Sequence, residues 1–167
     1  WAKHIHGTGS ERAKISCIDN QGNVYVTGAF SSGLCVLESD TLSGGGYSTY
    51  YLAKYSAIGN LIWSQIIGYS YSASCLSGIF KLEYDSLSNS LLFAGAVGSY
   101  FQLNSTTVTS FPGDMNAIFG KANLNGDVLW YHTITGNGSQ SGNTIDFDGA
   151  GNVYAIGTSN SAFNVGN

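Results

Sequence analysis

One pattern returns along this chain in a single register, and it limits the fold more than any other feature. Asp19-Asn-Gln-Gly-Asn-Val-Tyr-Val-Thr-Gly28 recurs as Asp148-Gly-Ala-Gly-Asn-Val-Tyr-Ala-Ile-Gly157, and Leu91-Leu-Phe-Ala-Gly95 is a weaker copy of Val24-Tyr-Val-Thr-Gly28 between them. A second element follows in the same order: Leu52-Ala-Lys-Tyr55 with Gly59-Asn-Leu-Ile-Trp63 returns as Phe119-Gly-Lys-Ala122 with Gly126-Asp-Val-Leu-Trp130. Trp1, Trp63 and Trp130 mark the period, 62 and then 67 residues. Units of this length bury their apolar faces against their neighbours, so the chain must be read as an array.

The local signals inside each unit are those of strands. Asn23-Val-Tyr-Val-Thr27 and Thr49-Tyr-Tyr-Leu-Ala-Lys-Tyr55 are rich in aromatic and β-branched residues and are bounded by Gly and Asn. Asp-x-x-Gly-Asn is a tight turn: Asp19 and Asp148 can accept from amides ahead of them, and Gly22 and Gly151 supply a positive φ. In the first unit four strands are expected at about 14–18, 23–30, 49–55 and 60–67, with residues 31–48 as a long connection. Four strands per repeat of 40 or more residues is the arithmetic of a β-propeller blade. The expected fold is therefore all-β, a partial propeller of four-stranded antiparallel blades. Residues 1–13 carry the last strand of a preceding blade, 14–67 and 68–134 are full blades, and 135–167 begin another. Propellers close with about four to eight blades, so more chain or further copies are expected beside this run. Trp1, Trp63, Trp130, Gly28, Gly95 and Gly157 are assigned to the structural repeat.

Asp-x-x-Gly-Asn-Val-Tyr-Val-Thr-Gly followed by Leu-Ala-Lys-Tyr-x-x-x-Gly-Asn-Leu-Ile-Trp resembles the SBBP (beta-propeller) repeat of extracellular proteins. The likeness spans nearly the whole chain and weakens in the second unit, where Tyr84-Asp-Ser-Leu-Ser-Asn89 replaces the turn and reads as a residue longer. The resemblance implies a propeller in a large secreted or cell-surface protein, with no catalytic role attached to the shared residues.

Charge narrows the partners. Charged residues make up only 10% of the chain, against roughly 25% in soluble domains; Gly, Ser, Thr and Asn stand in their place. Six Lys and Arg and a net charge of −4 leave no basic stripe for nucleic acid. No apolar run approaches the ~20 residues of a membrane-spanning helix. A polar, nearly neutral surface suits an extracellular or cell-surface protein that is glycosylated or embedded in an assembly such as a filament. Asn104-Ser-Thr106 and Asn137-Gly-Ser139 are sequons in expected loops.

Candidate chemistry is sparse. Cys17, Cys35 and Cys75 allow one disulfide and a free thiol, with Cys17 and Cys75 as a buried pair of unbridged thiols equally open, and none forms a C-x-x-C pair. His4 and His6 share one strand face, but His132 aligns with Lys3 and falls on the opposite face. Asp146 and Asp148 have the i, i+2 spacing of a calcium loop without its terminal Glu, so turn capping is the favoured role. Gly7-Thr-Gly9-Ser-Glu-Arg lacks the third glycine of a dinucleotide loop and the lysine of a P-loop, and no Gly-x-Ser-x-Gly elbow is present. No catalytic residue, cofactor or metal site is assigned, and no enzyme activity is expected. Tyr50 and Tyr51 are expected to fill the space between blades, whereas Tyr47, Tyr69 and Tyr71 are read as loop residues that could face a ligand. The two readings carried forward are a structural or interaction module whose partners are further blades or copies of itself, and a lectin-like module binding glycan or protein.

Overall fold

The aromatic and β-branched runs pair as antiparallel strands. A computed structural model describes residues 1–31, 33–71, 78–98, 100–103, 105–109 and 114–166, and among them the regular structure is all strand. The strands are β1 (Ile5–Gly7), β2 (Glu11–Ile18), β3 (Val24–Ser31), β4 (Leu34–Leu37), β5 (Asp40–Ser43), β6 (Ser48–Tyr55), β7 (Leu61–Ser70) and β8 (Gly78–Asp85). They continue as β9 (Ser90–Val97), β10 (Tyr100–Leu103), β11 (Thr106–Thr109), β12 (Asn116–Ala122), β13 (Val128–Gly136), β14 (Gln140–Phe147), β15 (Val153–Ser159) and β16 (Phe163–Gly166). Strands β2-β3-β6-β7 form one antiparallel meander, β8-β9-β12-β13 a second, and β14-β15 pair as the start of a third. No closed barrel or propeller is formed by the described residues.

The long connections are not simple loops. Residues 31–48 contain the hairpin β4–β5, and the matching span of the second unit contains β10–β11. Alternation explains the first: Cys35, Leu37 and Leu42 point into the core, so this short run gains burial by becoming a strand. Neither hairpin extends its own meander. Strand β4 pairs with β1 (Gly7↔Cys35), β10 with β7 (Gly68↔Phe101) and β16 with β13 (Gly136↔Phe163). Three times over, the segment after a unit's second strand crosses to the last strand of the preceding unit.

The glycines at these crossings are set by close approach. A Cβ on Gly7, Gly68 or Gly136 would lie 1.9, 2.6 or 2.5 Å from the carbonyl oxygen of Leu34, Tyr100 or Ala162. A second set serves the first strands, which bulge at the same place in each unit, between Ala13/Ile15, Ile79/Lys81 and Gly142/Thr144. Opposite them, a Cβ on Gly28, Gly95 or Gly157 would meet the carbonyl oxygen of Arg12, Gly78 or Ser141 at 2.2, 2.0 or 2.6 Å. Only glycine fits either set.

The core lies between units. Tyr25, Tyr50, Leu52 and Ile67 of the first meander pack on Ile79, Leu82, Phe93 and Ile118 of the second, with Phe101 of the hairpin inserted among them. The other face of the first meander takes Phe30, Tyr51, Ala53 and Tyr55 under Cys35, Leu37 and Leu42. Leu92, Ala94, Ala117 and Phe119 face Ile145 of the third unit. Strand β9 is consequently buried at every position, as a strand covered on both faces must be. Each large apolar side chain so buried contributes ~1.5–3 kcal/mol.

Candidate functional site

The two ends of the sheets differ in chemistry. At one end sit four tight turns built alike, at residues 19–23, 56–60, 123–127 and 148–152, with Gly22, Gly59, Gly126 and Gly151 at φ of 80°, 88°, 88° and 86°. Asp148 Oδ1 accepts from the amides of Ala150 (2.8 Å) and Asn152 (2.9 Å), and Oδ2 accepts from Asn152 Nδ2 (2.7 Å) and the Tyr154 hydroxyl (3.1 Å). The Asn152 side chain and amide, with smaller help from Ala150 and Tyr154, hold the Asp148 carboxyl down at about 2. Asp19 repeats the arrangement with Gln21, Asn23 and Tyr25. Burial pulls its carboxyl up, but the hydrogen bonds outweigh it and leave the group below its ordinary value.

In the second unit the turn is one residue longer. Asp85 pairs with Ser90 across it where Asp19 spans to Asn23, and Asn89 takes a φ of 51°. Lys121 Nζ reaches Asp85 Oδ2 at 2.8 Å, supplying the donor that a tyrosine hydroxyl provides in the other two units. Asp146 Oδ1 accepts from the Phe147 amide at 2.8 Å, so both carboxylates of the calcium-like pair are engaged in backbone capping. No group of three or more His, Cys, Asp or Glu poised for a metal occurs among the described residues. His4 and His6 stack on each other with centroids 5.4 Å apart, and His132 packs beside Trp130.

The opposite end carries the hairpins and the aromatic residues. Tyr69 stacks on Tyr71 at 6.5 Å between centroids and meets Tyr100 at 5.6 Å, forming a ledge across two units. The ledge rests on glycines: a Cβ on Gly45 would touch the Tyr69 ring, and one on Gly46 the Tyr71 ring. Tyr71 and Tyr47 are 70% and 60% exposed, large values for rings of this size, while Tyr50 and Tyr51 are buried in the core. Tyr69 lies within β7 and not in a loop. Gly68 reads as punctuation in the sequence, but it is the crossing point that lets the strand continue past it.

Beside Tyr47 opens a cavity of about 530 Å³ whose walls include Arg12, Lys14, Ser31, Ser48 and Tyr50. Lys14 Nζ lies 5.3 Å from the Tyr50 ring centroid and 5.8 Å from that of Phe80. Burial, with the Arg12 charge adding to it, lowers the Lys14 ammonium below its ordinary value. Neither cation stands out in the sequence, because their i, i+2 spacing says nothing about where the carboxylates of the chain fall.

The remaining sequence-assigned residues have structural positions. Trp1 donates from Nε1 to the Ala57 carbonyl (3.0 Å) and lies against Tyr55, although much of its ring is exposed. Trp63 meets Tyr25 edge-on at 6.3 Å, and Trp130 joins the packing between the second and third units. Asn137 is exposed, its main-chain carbonyl accepting from Ser161 Oγ. Asn104 and Cys75 lie outside the described residues. Cys17 and Cys35 are free thiols; burial foremost, aided by Glu83 and Asp19, pushes Cys17 up to about 12, and burial with Glu11 pushes Cys35 up to about 11. Comparison with models of known protein families finds no match, and no curated protein matches the chain.

Proposed function

We propose that this chain is a run of SBBP-like β-propeller blades that serves as a non-catalytic scaffold in an extracellular or cell-surface protein, a building block of a glycosylated or filamentous assembly. The observation that carries this reading is the crossing repeated at β1·β4, β7·β10 and β13·β16. It ties each unit to the one before it by backbone hydrogen bonds as well as by apolar packing, which suits a rigid array. The exposed sequon at Asn137 and the scarcity of charge fit the same setting. A cryo-EM map of source-purified material tests it. Units in series against neighbouring copies, with glycan density on Asn137, is the expected result. An isolated particle with an unmodified Asn137 would remove the assembly role.

A second reading has its own support in the Tyr69–Tyr71–Tyr100 ledge: a glycan-binding module that stacks sugar rings on exposed aromatic faces. A glycan array decides it. Binding that disappears in Tyr69→Ala and Tyr71→Ala supports a lectin, and no binding to the unaltered protein removes that reading.

A further inference from the structure

We infer that the cavity bounded by Arg12, Lys14 and Tyr47 is a binding site for an acidic saccharide, a sugar bearing a carboxylate or a sulfate ester. This site stands apart from the scaffold reading and does not depend on it. The chain has six basic side chains. Lys3 pairs with Glu38, Lys81 with Glu83 and Lys121 with Asp85, and Lys54 sits 5.1 Å from the centroid of the Tyr25 ring. Arg12, Lys14 and Lys54 have no acidic partner among the described residues, and of these three Arg12 and Lys14 line the same cavity. None of the residues beyond the described ones is an Asp or a Glu.

A protein with net charge −4 that lines one cavity with two cations, neither ion-paired among the described residues, concentrates positive field there. The other walls specify what kind of anion fits. Tyr47 presents an exposed ring at the rim, suited to the apolar face of a pyranose. Ser31 and Ser48 add hydroxyls that can exchange hydrogen bonds with sugar hydroxyls. A cavity of about 530 Å³ lies in the ordinary range for small-ligand sites. A guanidinium and an ammonium facing one acidic group provide charge-assisted hydrogen bonds, and the ring supplies orientation.

The test is titration calorimetry of the full chain with three probes: a chondroitin sulfate hexasaccharide, a polygalacturonate hexasaccharide and neutral cellohexaose. The expected result is binding of at least one acidic probe and none of cellohexaose at the same concentration. Arg12→Gln and Lys14→Gln should each weaken it roughly tenfold or more, the effect of losing one charge-assisted hydrogen bond. Lys81→Gln, which removes the same charge elsewhere, should change it less than twofold. The sulfated and carboxylated arms identify the acidic group. A measurement on the unaltered protein guards against variants that fail to fold: acetylation of Lys14 by an amine-reactive ester, read by mass spectrometry, should slow in the presence of the bound probe while that of Lys81 does not. Failure of both acidic probes to bind, equal binding of cellohexaose, equal loss in Lys81→Gln, or no protection of Lys14 would each overturn the assignment.

Discussion

Gly68→Ala is the sharpest test of the crossing between units. Gly68 pairs with Phe101, and a methyl there would sit 2.6 Å from the Tyr100 carbonyl oxygen and 3.3 Å from the Phe101 Cα. Both atoms are backbone, so no rotamer change relieves the clash and β10 must move away. Two pairings join β10 to β7, Tyr100↔Tyr69 and Phe101↔Gly68, and their net loss costs about 1–2 kcal/mol at the usual value per bond. Phe101 is fully buried against Phe93, with ring centroids 5.9 Å apart; partial withdrawal costs about another 1–2 kcal/mol. Alanine recovers about 0.5 kcal/mol by restricting the unfolded chain. The balance is about 2–3 kcal/mol of destabilisation, a fall in Tm of about 5–10 °C for a chain of this length. Urea unfolding gives the first number. Hydrogen exchange locates it: amides of β10 should lose protection while those of β12 keep theirs. Phe101→Ala should cost about 3–5 kcal/mol alone, and the double variant should fall short of the sum by at least about 1 kcal/mol, since both act on the same seat. Wild-type stability in Gly68→Ala, unchanged protection of β10, or strict additivity would refute the reasoning.

Further outcomes follow from single residues. Gly149→Ala and Gly151→Ala both add a methyl to open space, but only Gly151 has a positive φ of 86°; the first should be neutral or slightly stabilising and the second should cost about 1 kcal/mol in urea unfolding. The Asp148 carboxyl is held at about 2 in the folded chain against ~3.9 unfolded, so its contribution is present above pH ~4 and lost as pH falls towards 2. Asp148→Asn should therefore flatten the acid limb of the stability curve, and an unchanged limb would count against the hydrogen-bonded turn. Cys17 and Cys35, with thiols at about 12 and about 11, should resist iodoacetamide at pH 8 in the native state and react on unfolding; rapid native labelling, read by mass spectrometry, would contradict the burial of Cys35 and the partial burial of Cys17.

What was legible in the sequence is what is determined locally. Asp19, Gly22 and Asn23 close their turn with bonds among themselves, so five residues suffice to recognise it, and its return at Asp148 marks the unit. The period and the all-β character follow. The hairpins were not legible because their partners are distant: Leu34–Leu37 is four residues long, shorter than a typical strand, and is stabilised by β1 from the preceding unit. Yet a signal existed. Gly7, Gly68 and Gly136 follow the three tryptophans by six, five and six residues, a second repeated set that reads as loop punctuation until the crossing strand is placed over it.

The same difference in range explains where chemistry can accumulate. At the turn end, Asp19, Asp85 and Asp148 spend their oxygens on hydrogen bonds that form the turn itself, so substitution there costs the fold before it can add a function. At the hairpin end, the backbone crossings hold the units together, and the side chains around them are released from that duty. Tyr47, Tyr71, Arg12 and Lys14 are exposed side chains that are neither crossing glycines nor capping carboxylates. Binding capacity in such an array should therefore be gained and lost at the hairpin end. Exchanging Tyr47 or Tyr71 for Ser should leave the unfolding free energy from urea titration within about 0.5 kcal/mol of wild type, as exposed positions do. A large loss of stability from either would show that the exchanged ring belongs to the core after all.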